Sequence, residues 1–142
     1  MMEGYYGRER HETFEPDGWY ATGDIFSRDA NGFFYFTGRR SEMIKTAGAN
    51  VSPREVEEAI HDLTGLQAHV VGLEDADRGQ LVAAAVVAAD PSTLNESDLR
   101  ARLGQRLSTY KVPKRIRVVT GEQLPIMSSG KLDLPGLRDL LK

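Results

Sequence analysis

Apolar positions recur at helical spacing in three stretches of the chain and at strand spacing in several others. Over residues 53–63, Val56, Ala59, Ile60 and Leu63 fall three and four apart, which predicts a helix with one buried face. Ser52 stands as N-cap, Pro53 at the first helical position and Glu55 three residues after the cap, the pattern of a capping box. Thr64-Gly65 stops this helix. Leu99, Leu103 and Leu107 mark a second helix capped by Asn95, with Leu94 and Leu99 placed to close a hydrophobic staple. Leu137, Leu140 and Leu141 face inward on a last short helix.

Strand patterns lie around and between these helices. Residues 19–22 are aromatic and β-prone and end at Asp24, Asp29-Ala30-Asn31-Gly32 is turn material, and 33–37 is a second aromatic run. Residues 19–37 therefore predict a hairpin that breaks at Gly38-Arg39-Arg40-Ser41, with Asn31-Gly32 as its turn signal. Residues 43–46 predict a short strand, and Ala47-Gly48-Ala49-Asn50 a loop. Residues 70–73 are a short apolar run, 74–80 a charged turn, and 81–88 a continuous apolar run whose eight residues favour a buried strand. Residues 115–119 alternate like a strand, and a polar loop carrying Lys131 follows. The predicted fold is α+β, a small mostly antiparallel sheet with two to three helices on one face, preceded by a β-hairpin.

Composition narrows the classes. The 142 residues suffice for a domain with its own core, and 40% hydrophobic with 27% charged residues is a globular balance. No cysteine is present, which excludes disulfides and thiolate metal sites and fits a cytoplasmic setting. His11, His61 and His69 lack metal-site spacing, so no metal ligand set is expected. A net charge of −3 argues against a nucleic-acid partner; the basic run of Lys111, Lys114, Arg115 and Arg117 has no interleaved aromatic residues for stacking bases. No apolar run reaches membrane-spanning length.

Three places could carry chemistry. Lys131 follows two serines and a glycine on a loop with little bulk, from which an ammonium could be brought to a reacting carboxylate and phosphate. A solvated surface lysine is the plain alternative. The spacing is not a phosphate-cradling P-loop, because Pro125 occupies the first-glycine position and Leu132 the Ser/Thr position. Asp24 at a strand end could accept hydrogen bonds from vicinal hydroxyls, or merely cap a turn. The small residues around Gly48 could let a thin substrate arm pass close to backbone amides, or be a plain connector.

Gly18-Trp19-Tyr20-Ala21-Thr22-Gly23-Asp24, Gly38-Arg39, Ile44-Lys45 with Gly48, Pro53 with Glu55, and Leu124-Pro125-Ile126-Met127-Ser128-Ser129-Gly130-Lys131 together resemble, in order and spacing, the adenylate-forming superfamily. That superfamily contains acyl-CoA synthetases, peptide-synthetase adenylation domains and beetle luciferases. The resemblance covers nearly the whole chain. It implies that residues 1–38 are the tail of a large N-terminal adenylation domain and 39–142 the small mobile C-terminal domain. It implies that Lys131 orients the carboxylate and ATP during adenylation, that Asp24 binds the ATP ribose, and that Arg39 contacts ribose or phosphate. It further implies that Gly48, with Ala49 and Asn50, lines the pantetheine tunnel, that Lys45 serves the second half-reaction, and that Tyr110 and Lys114 touch the CoA nucleotide. Val112 stands where other members place Arg, and Leu134 where many have Arg. Ser41 takes the hinge position, where the family usually has Asp or Lys; Glu42 is its rival.

On this resemblance the chain is expected to be the C-terminal part of an ATP-dependent acyl-CoA synthetase, of fatty-acid or other carboxylate type. The full-length enzyme would use ATP with Mg2+ and CoA as substrates, with no cofactor bound in this chain. The fragment alone would be inactive, lacking an ATP phosphate loop and an acyl pocket. Other readings are a peptide-synthetase adenylation domain, which the lack of a carrier segment after Lys142 weighs against, and a non-enzymatic α+β module binding a ligand or partner. Trp19 and the phenylalanines at 33, 34 and 36, if exposed, could pair copies into a homodimer.

Overall fold

The computed structural model describes residues 6–142. Of residues 1–38, which the resemblance makes the tail of a larger domain, 1–5 lie outside the described residues. The chain divides into two compact units, one ending at Ser41 and one beginning at Glu42.

The first unit is built on an antiparallel hairpin of β1 (Asp24–Arg28) and β2 (Phe34–Arg39). The Asp29 carboxylate organises its turn. It accepts the N–H groups of Asn31 and Phe33, both at 2.9 Å, and the Tyr35 hydroxyl at 3.0 Å. The Phe33 N–H holds the Asp29 carboxyl below its ordinary value, with Tyr35 adding to it. Gly32 supplies the left-handed position, φ 92°, that closes the turn. The strand predicted over 19–22 is absent: β1 begins at Asp24 rather than ending there. Register explains this, because Asp24 already pairs with Arg39, the last residue of the partner strand. That partner runs through Gly38-Arg39, where a break was predicted. Phe26, Phe33, Phe34, Tyr35 and Phe36 are all exposed. This hairpin has strand chemistry without a core beneath it.

The second unit holds a five-stranded sheet and three α-helices among the described residues. β3 (Ile44–Thr46) and β4 (Ala49–Val51) form a tight hairpin, and α1 (Pro53–Thr64) follows. Ala47 (φ 49°) and Gly48 (φ 80°) are its two loop residues, with the paired positive φ of a type I′ turn. The predicted loop of four residues is thus a loop of two, and Ala49 and Asn50 are on a strand. Ser52 makes no side-chain cap to α1, and the expected capping box is not formed. Glu55 is occupied elsewhere, accepting from Lys111 Nζ at 2.6 Å. Gly65 ends α1 in the left-handed conformation, as its position predicts.

β5 (Gln67–Asp75) and β6 (Gly79–Val87) pair antiparallel over nine positions, so the predicted turn over 74–80 shrinks to three residues. Asn95 caps α2 (Glu96–Gly104) as expected, its side chain accepting the N–H of Ser97 and Asp98. β7 (Arg115–Val119) returns parallel to β6. The order is β4-β3-β6-β5, with β7 also on β6. A parallel pair needs a crossover, and α2 provides it.

The helices do not all cover one face, as expected from sequence. Val70, Val82, Ala84 and Val86 pack with Val56 and Ile60 of α1 and Leu99 and Leu103 of α2. Val71, Leu73, Ala83 and Ala85 form a second cluster with Leu137 and Leu141 of α3 (Leu134–Leu141). Both faces of β6 are therefore buried, which accounts for an unbroken apolar run rather than an alternating one.

Candidate functional site

In the first unit, the two residues expected at the nucleotide meet each other. Asp24 and Arg39 are cross-strand partners, and Arg39 Nε donates to Asp24 Oδ1 at 3.0 Å. The carboxylate is the more sheltered member, its side chain 23% exposed against 59% for the guanidinium. So open a pair contributes at most about 1 kcal/mol to stability. Its value is geometric: a carboxylate held at a strand end, with one oxygen engaged from the protein side.

In the second unit, one edge of β6 carries most of the residues expected at the acceptor thiol. Ala47 N–H donates to the Arg78 carbonyl at 3.0 Å, Lys45 N–H to Gln80 Oε1 at 2.8 Å, and Lys114 N–H to the Val82 carbonyl at 2.8 Å. The Gly48 turn, Lys45 and Lys114 thus hang from alternate positions 78, 80 and 82, the first the turn residue that leads into β6 and the other two on β6 itself. The Lys45, Gly48, Asn50 and Lys114 side chains or backbone are exposed, and Ala49 is half-buried. A Cβ on Gly48 would meet nothing, so the left-handed φ, not crowding, is what calls for glycine there.

Tyr110 joins this edge through its neighbour. Lys111 is tied to Glu55 in the first turn of α1, and that hydrogen bond holds the ammonium above its ordinary value. Lys111 also lies over the Tyr110 ring, 5.9 Å from its centroid. Val112 and Pro113 are buried, anchoring the segment while Tyr110 and Lys114 stay exposed. Sequence reasoning missed Glu55–Lys111 and Gln80. Glu55 was assigned to a cap, and a polar residue opening an apolar strand gives no periodic signal.

Lys131 lies elsewhere in the unit. Its segment, read from sequence as a polar loop, closes on itself as a short hairpin. Ile126 bridges Leu132, Met127 N–H donates to the Lys131 carbonyl at 2.8 Å, and Asp133 N–H to the Pro125 carbonyl at 2.8 Å. Ser128, Ser129 and Gly130 form the tip, with Gly130 at φ 79°. Leu124 and Leu132 pack on the cluster under α3, whereas Ile44 and Val51 of the β3–β4 hairpin pack on the cluster under α1. The exposed Lys131 and the Gly48 turn are therefore rooted in opposite faces of the sheet. Ser41 is an exposed turn residue, the last of the first unit. Among the described residues, no three His, Cys, Asp or Glu side chains group to hold a metal, and no helix is long and apolar enough to cross a membrane.

Comparison with known proteins bears on this arrangement. The family model of the AMP-binding enzyme C-terminal domain matches residues 55–131. The sulfoacetate–CoA ligase of Cupriavidus necator is 40% identical over 135 residues, covering 93% of this chain and 26% of that protein. The o-succinylbenzoate CoA synthetase of Bacillus subtilis, solved with its acyl-adenylate intermediate, superposes with a TM-score of 0.78 at 34% identity, covering 99% of this chain and 28% of that one. The amide bond synthetase McbA of Marinactinospora thermotolerans superposes with a TM-score of 0.79 at 31% identity, covering 94% of this chain and 27% of that one. The chain spans about a quarter of the length of the relatives it matches.

Proposed function

The chain belongs to the AMP-binding enzyme C-terminal domain family, and on that premise we propose that it is the C-terminal part of an ATP-dependent acyl-CoA synthetase. In the full-length enzyme a substrate carboxylate oxygen attacks the α-phosphorus of ATP, supplied with Mg2+, and pyrophosphate leaves. The CoA thiolate then attacks the acyl carbonyl, and AMP leaves. One observation carries this reading: Lys131 and the Lys45–Gly48 turn are rooted in opposite faces of one unit. A unit used in two orientations can offer one face to each half-reaction.

Roles follow from placement. Lys131, on its hairpin tip, neutralises charge developing between carboxylate and α-phosphate, where a positioned cation is worth most. Asp24, engaged on one side by Arg39, receives the ribose hydroxyls, with Arg39 beside it. The Gly48 turn, Ala49 and Asn50 line the path of the pantetheine arm, with Lys45 at the same edge. Tyr110 and Lys114 face the CoA nucleotide. Ser41, at the junction of the two units, is the hinge. Residues 1–38 form the tail of the larger domain, whose body would cover the exposed aromatic hairpin; this accounts for that surface better than pairing of two copies.

A second reading concerns the acceptor. Val112, in the place of a family arginine, is buried among Ile116 and its neighbours and offers nothing to a CoA phosphate. An amine or a carrier-protein thiol in place of CoA would leave the roles of Lys131, Asp24 and Ser41 unchanged.

The test is Lys131→Ala in the full-length protein, with adenylation from ATP and thioester formation from supplied acyl-adenylate assayed separately. Loss of adenylation by several orders of magnitude with thioester formation intact is expected. Survival of both would make Lys131 a surface lysine and favour a non-enzymatic binding module.

A further inference from the structure

We propose that Gln80 is a positioning residue for Lys45 and the Gly48 turn, and that the acyl-transfer half-reaction depends on it; the second clause rests on the ligase reading above.

The edge of β6 changes partner along its length. It meets β3 only where Thr46 lies opposite Gly79, and pairing with β7 begins at Ala83. β3 therefore leaves β6 after one bridged pair, and the N–H of Lys45 is accepted by a side chain, Gln80 Oε1, at 2.8 Å. The carboxamide stands in for the ladder carbonyl that a longer pairing would have supplied. Beside that bridged pair, Ala47 N–H to Arg78 and this bond fasten the inner edge of the hairpin that carries Lys45 and Gly48.

The seat of that carboxamide is Gly72 on β5. A Cβ there would stand 2.9 Å from Gln80 Cδ, 3.0 Å from Oε1 and 3.1 Å from Nε2. Gly72 is buried, in mid-strand, and not among the glycines at positive φ, so its backbone does not call for glycine. Glycine weakens a strand interior, and mid-strand it often marks close approach of another group. Here the approaching group is the Gln80 carboxamide. Gly72, Gln80 and Lys45 form a relay across three strands that fixes the height of the β3–β4 turn above the sheet.

The relay gives a test in which two different substitutions must do the same thing. Gln80→Ala removes the acceptor. Gly72→Ala leaves Gln80 intact but pushes its flexible carboxamide off Lys45. In the full-length protein, hydrogen–deuterium exchange of the peptide spanning 43–51 should speed up by about tenfold in each variant. Acyl transfer from supplied acyl-adenylate should fall by about the same factor, with adenylation from ATP within about twofold of wild type. The double variant should be no worse than either single one, because both break one bond. Gln80→Glu, which keeps an acceptor oxygen, should restore slow exchange and most of the acyl transfer. Unchanged exchange in Gln80→Ala overturns the positioning role whatever the activities. Faster exchange with undiminished acyl transfer overturns its part in the reaction. A wild-type protein that forms neither acyl-adenylate nor thioester refutes the ligase reading instead, and the exchange data then decide the positioning role alone.

Discussion

Glu57 on α1 reaches β5 and accepts the backbone N–H of Val70 at 2.9 Å. β5 is the outer strand of the sheet, so its outward amides have no strand partner, and α1 covers them with a side chain. Burial holds the Glu57 carboxyl above its ordinary value; the Val70 N–H opposes this, and the Glu42 carboxylate adds to it.

The sign of the pH dependence follows. A carboxyl whose folded-state value is raised binds its proton more tightly when folded. Its stabilising contribution is therefore complete below the ordinary value of 4.5 and is lost as pH rises through the raised one. Glu57→Gln keeps the acceptor and removes the buried charge. We expect its Tm to exceed that of wild type by about 2 °C at pH 7 and the difference to vanish near pH 4. Glu57→Leu, which strands the Val70 N–H, should lose about 1–3 kcal/mol at both pH values. Thermal unfolding at the two pH values checks this; a Gln variant less stable than wild type at pH 7 would contradict it.

Gly136 makes a second prediction. It lies in the first turn of α3, where helix propensity favours Ala by about 1 kcal/mol. A Cβ there would stand 2.8 Å from Asp133 Oδ2 and 2.9 Å from Pro125 Cβ. Asp133 and Pro125 are the base of the Lys131 hairpin, joined by the bond from Asp133 N–H to the Pro125 carbonyl. A carboxylate can swing aside, but a proline ring cannot, so Gly136→Ala should displace the hairpin. The expected result is no gain in Tm and a roughly tenfold loss of adenylation, with acyl transfer from acyl-adenylate unchanged. A more stable variant with full adenylation would show that the hairpin base is not held by this contact.

These contacts mark where the sequence was legible and where it was not. Local signals were read correctly when the physics was local: the Asn95 cap, the Gly65 stop and the Asn31-Gly32 turn depend on a few adjacent residues. The apolar run through 81–88 gave a strand but not its two buried faces, because α3, which covers the second, is some fifty residues away in the chain. Ser52 and Glu55 had the spacing of a capping box, yet Glu55 found a stronger partner in Lys111, a long-range ion pair that no local rule contains. The site was legible as motif residues. That Asp24 and Arg39 pair, and that Lys45, Gly48 and Lys114 share the β6 edge, are facts of register and emerge only on folding.

Ser41 carries the last prediction. It is the final residue of the first unit and lies in an exposed turn. If the second unit serves the two half-reactions in two orientations, a few backbone torsions at this junction must absorb the change. Proline at 41 fixes φ near −65° and also restricts Arg40 before it. Ser41→Pro should therefore trap the full-length enzyme in one orientation, keeping one half-reaction within about threefold of wild type and lowering the other on the order of a hundredfold. Ser41→Ala, which keeps both torsions free, should retain both. Because Ser41 is outside both cores, neither change should alter the unfolding of the second unit, and thermal scans control for that. Equal loss of both half-reactions in Ser41→Pro would point to damage rather than trapping. Retention of both at wild-type rates would mean that the chain turns elsewhere, with Glu42 the first position to try, or does not turn at all.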